Sequence, residues 1–273
     1  MKPAKPTSKP AMRVLIAIPV FNEAKYADGV LRRVLAVRDE LAGRYEVDVL
    51  AIDDGSTDAT PSILAQHPID VIRHGVNAGY GASLRDAFGW ASGRNYDWLI
   101  TMDCDEQHEP AAIPRFLDEA LRGGADIISG SRYMPQSIAA DAPPPQRRAV
   151  NITITKEVND RLGGRLGTLL TDGFCGFKAY RVSSLKRLRL TENGYAFPMQ
   201  FWVQAAAFAL TVREMPVKLI YNDPNRSFGV TLDDPTVRLA HYRDVLHKEL
   251  RKQARRLPAS ALIGVTSSLV RAG

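Results

Sequence analysis

The chain has few cysteines, no long apolar run and no internal repeat, and each absence narrows what it can be. Its two cysteines, Cys104 and Cys175, show neither the paired spacing of a zinc site nor the number needed for a disulfide framework, so the reducing cytosol is the default compartment. No stretch reaches the roughly 18 to 20 apolar residues that cross a bilayer. The nearest, Ala261 to Val270, is short and interrupted by Thr266, Ser267 and Ser268. The Lys/Pro-rich start lacks the apolar segment of a secretory signal, and residues 1–12 are expected to be a disordered lead. The chain therefore reads as cytoplasmic, at most peripheral on the cytosolic face of a membrane. Gly79-x-Gly81 lacks the third glycine of a dinucleotide fingerprint, which argues against a dehydrogenase. No aromatic-basic run points to nucleic acid.

What is present fits one large α/β domain: 273 residues, 45% of them hydrophobic, can bury a full core. The formal charge of +6 favours an anionic partner, which on charge alone could be a nucleotide, an acidic membrane surface or nucleic acid.

Strand and helix patterns alternate along the first 120 residues. Val14 to Ile18 is an apolar run stopped by Pro19, as expected of a parallel strand buried on both faces. A helix is predicted over Ala24 to Leu41, a second strand over Val47 to Ile52, and a short helix over Pro61 to Gln66 with Ser56 or Thr57 as its cap. A third strand over Ile69 to Arg73, a helix over Gly81 to Ser92 and a fourth strand over Trp98 to Met102 follow. Such alternation argues for a mostly parallel, doubly wound sheet flanked by helices.

The fourth strand runs straight into Asp103-Cys104-Asp105. Two carboxylates delivered to the carboxyl edge of a sheet repel unless a cation lies between them, and hard oxygen ligands suit Mg²⁺ or Mn²⁺ with positions left open for phosphate. The alternative is a solvated acidic turn capping the helix that begins near Pro110. The other strands also end in polar or small residues: Pro19, Asn22 and Glu23 after the first, Asp53 and Asp54 after the second, Asn77 to Gly81 after the third. These can meet a ribose, a base or a phosphate, and Asp53 and Asp58 can equally serve as turn and capping residues.

Taken in order, Ile18-Pro19-Val20-Phe21-Asn22-Glu23, Asp53-Asp54-Gly55-Ser56-Thr57-Asp58, Asn77-x-Gly79-x-Gly81 and Met102-Asp103-Cys104-Asp105-Glu106-Gln107-His108 resemble the signature of family 2 glycosyltransferases with the GT-A fold. Gly130-Ser131-Arg132-Tyr133 and Asp172-Gly173-Phe174-Cys175-Gly176-Phe177-Lys178-Ala179-Tyr180-Arg181 make the chain most similar, within that family, to polyprenyl (dolichyl) phosphate mannosyl- and glucosyltransferases. The resemblance covers about residues 13 to 230. It implies a GT-A domain over 13–232, and residues 233–273 are read from their own spacing and charge as a basic amphipathic helix and tail. It also implies Mg²⁺ or Mn²⁺ held by Asp103, Asp105 and Gln107, and a nucleoside held by Asp53 or Asp54 with Pro19, Asn22, Glu23, Asn77 and Gly79 nearby. The donor is then a GDP- or UDP-hexose and the acceptor a polyprenyl phosphate. The alternatives are a soluble or other lipid hydroxyl acceptor, and a non-catalytic nucleotide- or nucleic-acid-binding protein.

For the acceptor half the candidates are arginines, because a guanidinium fork pairs bidentately with phosphate oxygens and stays charged. Arg132 ends a strand, Arg147 or Arg148 follows the Pro-rich segment 142–145, and Arg226 lies in Asn225-Arg226-Ser227-Phe228-Gly229. A phosphate acceptor needs no base, whereas a hydroxyl acceptor does, and Asp172 is the nominee. The chain departs from the family pattern in carrying neutral Gln200 where an acid is common, Ser227-Phe228 for Ser-Lys, and Asn151 for Ser. In the last segment Leu239, Tyr242, Leu246 and Leu250 recur at helical spacing beside Arg243, Lys248, Arg251, Lys252, Arg255 and Arg256. That helix could rest on anionic headgroups or pack on the catalytic domain.

Overall fold

Val14 to Ile18 is apolar at every position because its strand is covered on both faces, and all five residues are fully buried within β1 (Met12–Val20). The structure, a computed structural model, describes residues 11–139, 141–221 and 231–265. β2 (Tyr45–Asp53), β3 (Asp70–Arg73) and β4 (Trp98–Thr101) run parallel to β1. They are joined by α1 (Ala27–Leu41), α2 (Thr60–Leu64) and α3 (Tyr80–Gly93). A 3-10 turn and α4 (Ile113–Arg122) lead to β5 (Ile127–Ser131) and the long α5 (Pro145–Leu166). β6 (Lys178–Arg181), α6 (Val182–Leu185), α7 (Phe197–Ala207), β7 (Val212–Pro216) and α8 (Pro235–Lys252) follow, and two 3-10 turns, Ala254–Arg256 and Ala259–Leu262, complete the described elements.

The seven strands lie in the order β3-β2-β1-β4-β6-β5-β7, and β6 alone runs against its neighbours β4 and β5. The expected mostly parallel sheet is therefore present, with one antiparallel strand that no sequence pattern announced, because it is only four residues long and begins with a lysine. Alternate residues of β1 divide two apolar cores. Leu15 and Ala17 face α3, α5, α7 and α8, while Val14, Ile16 and Ile18 face α1 and α4. The order of strands reverses at β1, with β2 and β3 on one side of it and β4 on the other, and open α/β sheets bind ligands at the carboxyl ends of such a switch point.

Two local expectations change. The first helix begins at Ala27 rather than Ala24, since the Glu23 carbonyl accepts from Tyr26 N and Ala27 N in a preceding turn, and Asn22 sits at φ 55°. Ser56 and Thr57 do not cap α2. Ser56 Oγ accepts from Asn22 N at 2.9 Å, Asp58 accepts from Ala24 N and Thr60 N, and these bonds clamp the ends of β1 and β2 together.

The basic helix predicted near the C-terminus is α8. Tyr242, Leu246 and Leu250 are buried in the core shared with α5 and α7, so its apolar stripe packs on the domain, while Arg243 pairs with Glu157 at 2.8 Å. Among the described residues no helix is long and apolar enough to cross a membrane.

Candidate active site

A cavity of about 430 Å³ opens where β1, β2 and β4 end. On one side it is walled by Asp103, Asp105 and Gln107 from the loop after β4. That loop is tightly wound: Gln107 N donates to Asp105 Oδ1 at 3.1 Å, and Glu106 takes a left-handed φ of 62° that turns its side chain out to Arg33. Asp103 N donates to His108 Nδ1 at 3.0 Å, which leaves the imidazole proton on Nε2, near Cys175 Sγ. Burial pulls the His108 pKa down to about 4, so the ring is a neutral brace. The Asp103 carboxylate accepts from Tyr80 OH at 3.3 Å and lies so close to Gly176 that a methyl there would stand 2.6 Å from Oδ2.

Among the described residues no cluster of three or more His, Cys, Asp or Glu side chains is placed to enclose a metal ion by itself. Two carboxylates and one amide oxygen on the cavity wall are a partial, all-oxygen set. That fits Mg²⁺ or Mn²⁺ completed by phosphate and water, and does not fit zinc.

Pro19, Glu23, Asp54, Asn77 and Gly79 line the adjoining wall, as the sequence suggested. Asp54 organises it: its carboxylate accepts from Ala78 N at 2.8 Å, Gly79 N at 2.9 Å and His74 Nδ1 at 2.6 Å. The glycines of Asn77-x-Gly79-x-Gly81 also admit another part of the chain. A methyl at Gly79 would stand 2.4 Å from the Asn193 carbonyl oxygen, and one at Gly81 2.4 Å from that of Glu192. The Asn193 carbonyl accepts from Gly81 N and Ala82 N, so the chain's own segment caps α3.

Two other candidates on this side are not brought to the cavity. Asn22 Oδ1 accepts from Thr57 N at 2.8 Å. Asp53 is fully buried, with Oδ1 accepting from Ser56 N at 2.9 Å and Oδ2 3.2 Å from Arg73 Nε. Both brace the β1–β2 ends.

Three arginines from three elements line the same cavity: Arg132 after β5, Arg147 in the first turn of α5 and Arg238 in the first turn of α8. Arg132 holds Asp172 bidentately, Nε to Oδ2 at 2.7 Å and Nη2 to Oδ1 at 3.0 Å. Burial alone would raise the Asp172 pKa, and the Arg132 guanidinium overrides it, holding the carboxyl well below the usual range. Asp172 also accepts from Asn151 Nδ2 and Phe174 N. Fully buried and saturated, it is a weak base away from the cavity wall, which corrects its nomination as a proton acceptor.

Arg148 stacks over Tyr133 at 3.5 Å, and it is Arg147 that lines the cavity. Arg226 lies outside the described residues. Arg238 and Tyr242 were missed. Their signal was present: Arg238 is in phase with Tyr242, Leu246 and Leu250, and a charge on the apolar stripe of a helix marks a buried role.

Residues 15–189 match the model of the family described as Glycosyl transferase family 2. A polyprenol monophosphomannose synthase of Mycolicibacterium smegmatis is 30% identical over 220 residues, spanning 77% of this chain and 78% of its own. An undecaprenyl-phosphate mannosyltransferase of Micrococcus luteus is 31% identical over 224 residues, spanning 79% and 87%. Among solved structures, glucosyl-3-phosphoglycerate synthase from Mycobacterium tuberculosis in complex with Mn²⁺ and uridine-diphosphate-glucose superposes with a TM-score of 0.65 at 19% identity, spanning 91% of this chain and 81% of that one. That likeness speaks for the fold.

Proposed function

We propose, since the chain belongs to glycosyl transferase family 2, that it transfers a hexose, mannose from GDP-mannose or glucose from UDP-glucose, to a polyprenyl phosphate with inversion at the anomeric carbon. The observation that carries this reading is that one cavity is lined both by Asp103, Asp105 and Gln107 and by Arg132, Arg147 and Arg238.

In this reading the three oxygen-bearing side chains hold Mg²⁺ or Mn²⁺, which when bound offsets charge on the departing nucleoside diphosphate as a Lewis acid. Pro19, Glu23, Asp54 and Asn77 wall the nucleoside. The arginines fix the acceptor phosphate in line with the anomeric carbon, where the guanidinium fork matches its oxygens. A phosphate oxygen is already anionic at neutral pH and attacks without a base. The engagement of Asp172 with Arg132 favours that acceptor over a hydroxyl. The names of the two relatives above support a lipid phosphate. A lipid acceptor brings the chain to a membrane surface, where Lys248 and Arg251 of α8 can meet anionic headgroups.

The test is transfer from radiolabelled GDP-mannose and UDP-glucose to a polyprenyl phosphate in detergent with Mn²⁺. Label is expected in the organic phase, and both chelator and Asp105→Ala should abolish it. Label that reaches a product only in the aqueous phase overturns the lipid acceptor.

A further inference from the structure

Glu249, in the last turn of α8, is 2% exposed, and a buried carboxylate is tolerated only where donors meet its oxygens. Three amides do so: Gln200 Nε2 donates to Oε2 at 2.9 Å, and Gln204 Nε2 and Gln253 Nε2 donate to Oε1 at 2.8 and 2.9 Å. Because an amide presents its nitrogen and oxygen to opposite sides, an acceptor at 249 sets which way Gln200 and Gln204 face. With their nitrogens on Glu249, the Gln200 oxygen accepts from Thr191 N at 2.7 Å and Glu192 N at 2.8 Å, and the Gln204 oxygen accepts from Arg189 N at 2.7 Å.

The segment so held is the one that reaches the cavity. Its next residue, Asn193, gives its carbonyl to Gly81 N at 2.6 Å and Ala82 N at 3.2 Å, capping α3. Gly194 and Tyr195 line the cavity, and Tyr195 stacks on Tyr80 with ring centroids 6.0 Å apart. Tyr80 OH in turn donates to Asp103.

We infer that Glu249 is a positioning residue for the donor side of the site: through Gln200 and Gln204 it fixes residues 189–195, and through them the N-terminus of α3, Tyr80 and Asp103. The C-terminal helix is then part of the catalytic apparatus. This rests on the reading of the acidic wall as the nucleotide-sugar site.

The experiment is a double-mutant cycle read by steady-state kinetics with nucleotide sugar and polyprenyl phosphate varied separately, at a temperature where every variant is folded. Glu249→Gln alone turns one amide toward two donors, and Gln200→Glu alone sets two carboxylates against each other. Each is expected to lower kcat/KM for the nucleotide sugar about 10- to 100-fold, the scale of small displacements at a reacting centre, with acceptor KM within about 2-fold of wild type. The pair Gln200→Glu with Glu249→Gln moves the acid from α8 to α7. The carboxylate at position 200 again accepts from Thr191 N and Glu192 N, and the amide at position 249 donates to it while accepting from Gln204. Recovery of the nucleotide-sugar kcat/KM to within about 3-fold supports the inference.

Lower melting temperatures in the single variants with unchanged nucleotide-sugar kinetics mean a structural role only, and overturn it. So does a folded double variant that stays as defective as the singles. Failure of the underlying reading looks different, since the wild type itself would then turn over no nucleotide sugar.

Discussion

Arg132 and Asp172 form a buried bidentate pair behind the cavity wall, with Nε 2.7 Å from Oδ2 and Nη2 3.0 Å from Oδ1. The pair leaves one edge of a cavity-lining guanidinium for a ligand and fixes the plane in which that edge lies. Removing one partner of a buried pair strands the other charge, at a cost of about 3 to 5 kcal/mol. Asp172→Ala should therefore be destabilised by that amount in urea unfolding at pH 7, and retained activity should show a raised acceptor KM.

The same pair sets an acid dependence. Asp172 is held well below the carboxylate range, so its contribution is complete above the unfolded value of about 4 and is lost as pH falls below it. The stability gap between wild type and Asp172→Asn should narrow on acidification from pH 5 toward pH 2, and a constant gap would contradict this.

His74 carries the opposite sign. Burial alone would lower its pKa, but Asp54 at 2.6 Å from Nδ1 and Asp86 at 2.7 Å from Nε2 outweigh it and raise the value. The imidazolium thus stabilises the fold fully below about pH 6.5, and that contribution is lost as pH rises through the raised value. Relative to His74→Asn, wild type should lose melting temperature between pH 6 and pH 9. Since Asp54 holds Ala78 N and Gly79 N on the cavity wall, nucleotide-sugar affinity should weaken over the same interval.

Asp103 and Asp105 were legible because a buried strand ending in acids leaves those side chains nowhere to go but the sheet edge, whereas Gln107 came from the family resemblance alone. The alternation of strands and helices made the parallel half of the sheet legible for a similar reason. A turn role was legible for Asp53 and Asp58, which accept from Ser56 N and Thr60 N, but the clamp that Asn22, Ser56 and Asp58 form was not. The bonds of Asn22 with Ser56 and Thr57, and of Asp58 with Ala24, join residues about 34 positions apart, between the ends of two neighbouring strands, and no local spacing distinguishes such a clamp from a cap or a ligand contact. The glycines after β3 were read as room for a ligand, and Gly79 does line the cavity, but the close approach of residues 192–193 to them was not legible because that segment lies more than 100 residues later in the chain.

Gly81 and Gly89 give a paired test of that close approach, since both lie within α3. Glycine to alanine in a helix ordinarily stabilises by about 0.5 to 1 kcal/mol. Around Gly89 nothing lies within 4 Å of an added methyl, so Gly89→Ala should gain that amount. At Gly81 the methyl would meet the Glu192 carbonyl oxygen at 2.4 Å and the backbone of Asn193 at 2.9 Å. Backbone cannot yield as a side chain tip can, and overpacking costs about 1 to 3 kcal/mol. Gly81→Ala should therefore be net destabilising, and stabilisation of both variants in urea titrations would show that residues 192–193 do not hold this position.

Arg238 provides the sharpest test of acceptor recognition against donor recognition. It is 3% exposed, it is anchored by Nη1 to the Leu232 carbonyl at 2.9 Å, and it lines the cavity beside Arg147 and Tyr242. A hydrogen bond to a charged group contributes about 1.5 to 3 kcal/mol, which is roughly a 10- to 150-fold change in affinity. Arg238→Gln should raise the KM for polyprenyl phosphate by that order and leave the nucleotide-sugar KM within about 2-fold. Arg238→Lys keeps the charge and loses the fork, so it should fall between the two. Binding of UDP-glucose or GDP-mannose with Mn²⁺ in the absence of acceptor, followed by calorimetry, should be the same in all three proteins. An acceptor KM unmoved in Arg238→Gln, or a nucleotide-sugar KM that rises instead, would take Arg238 out of the acceptor end and leave it as an anchor for the start of α8.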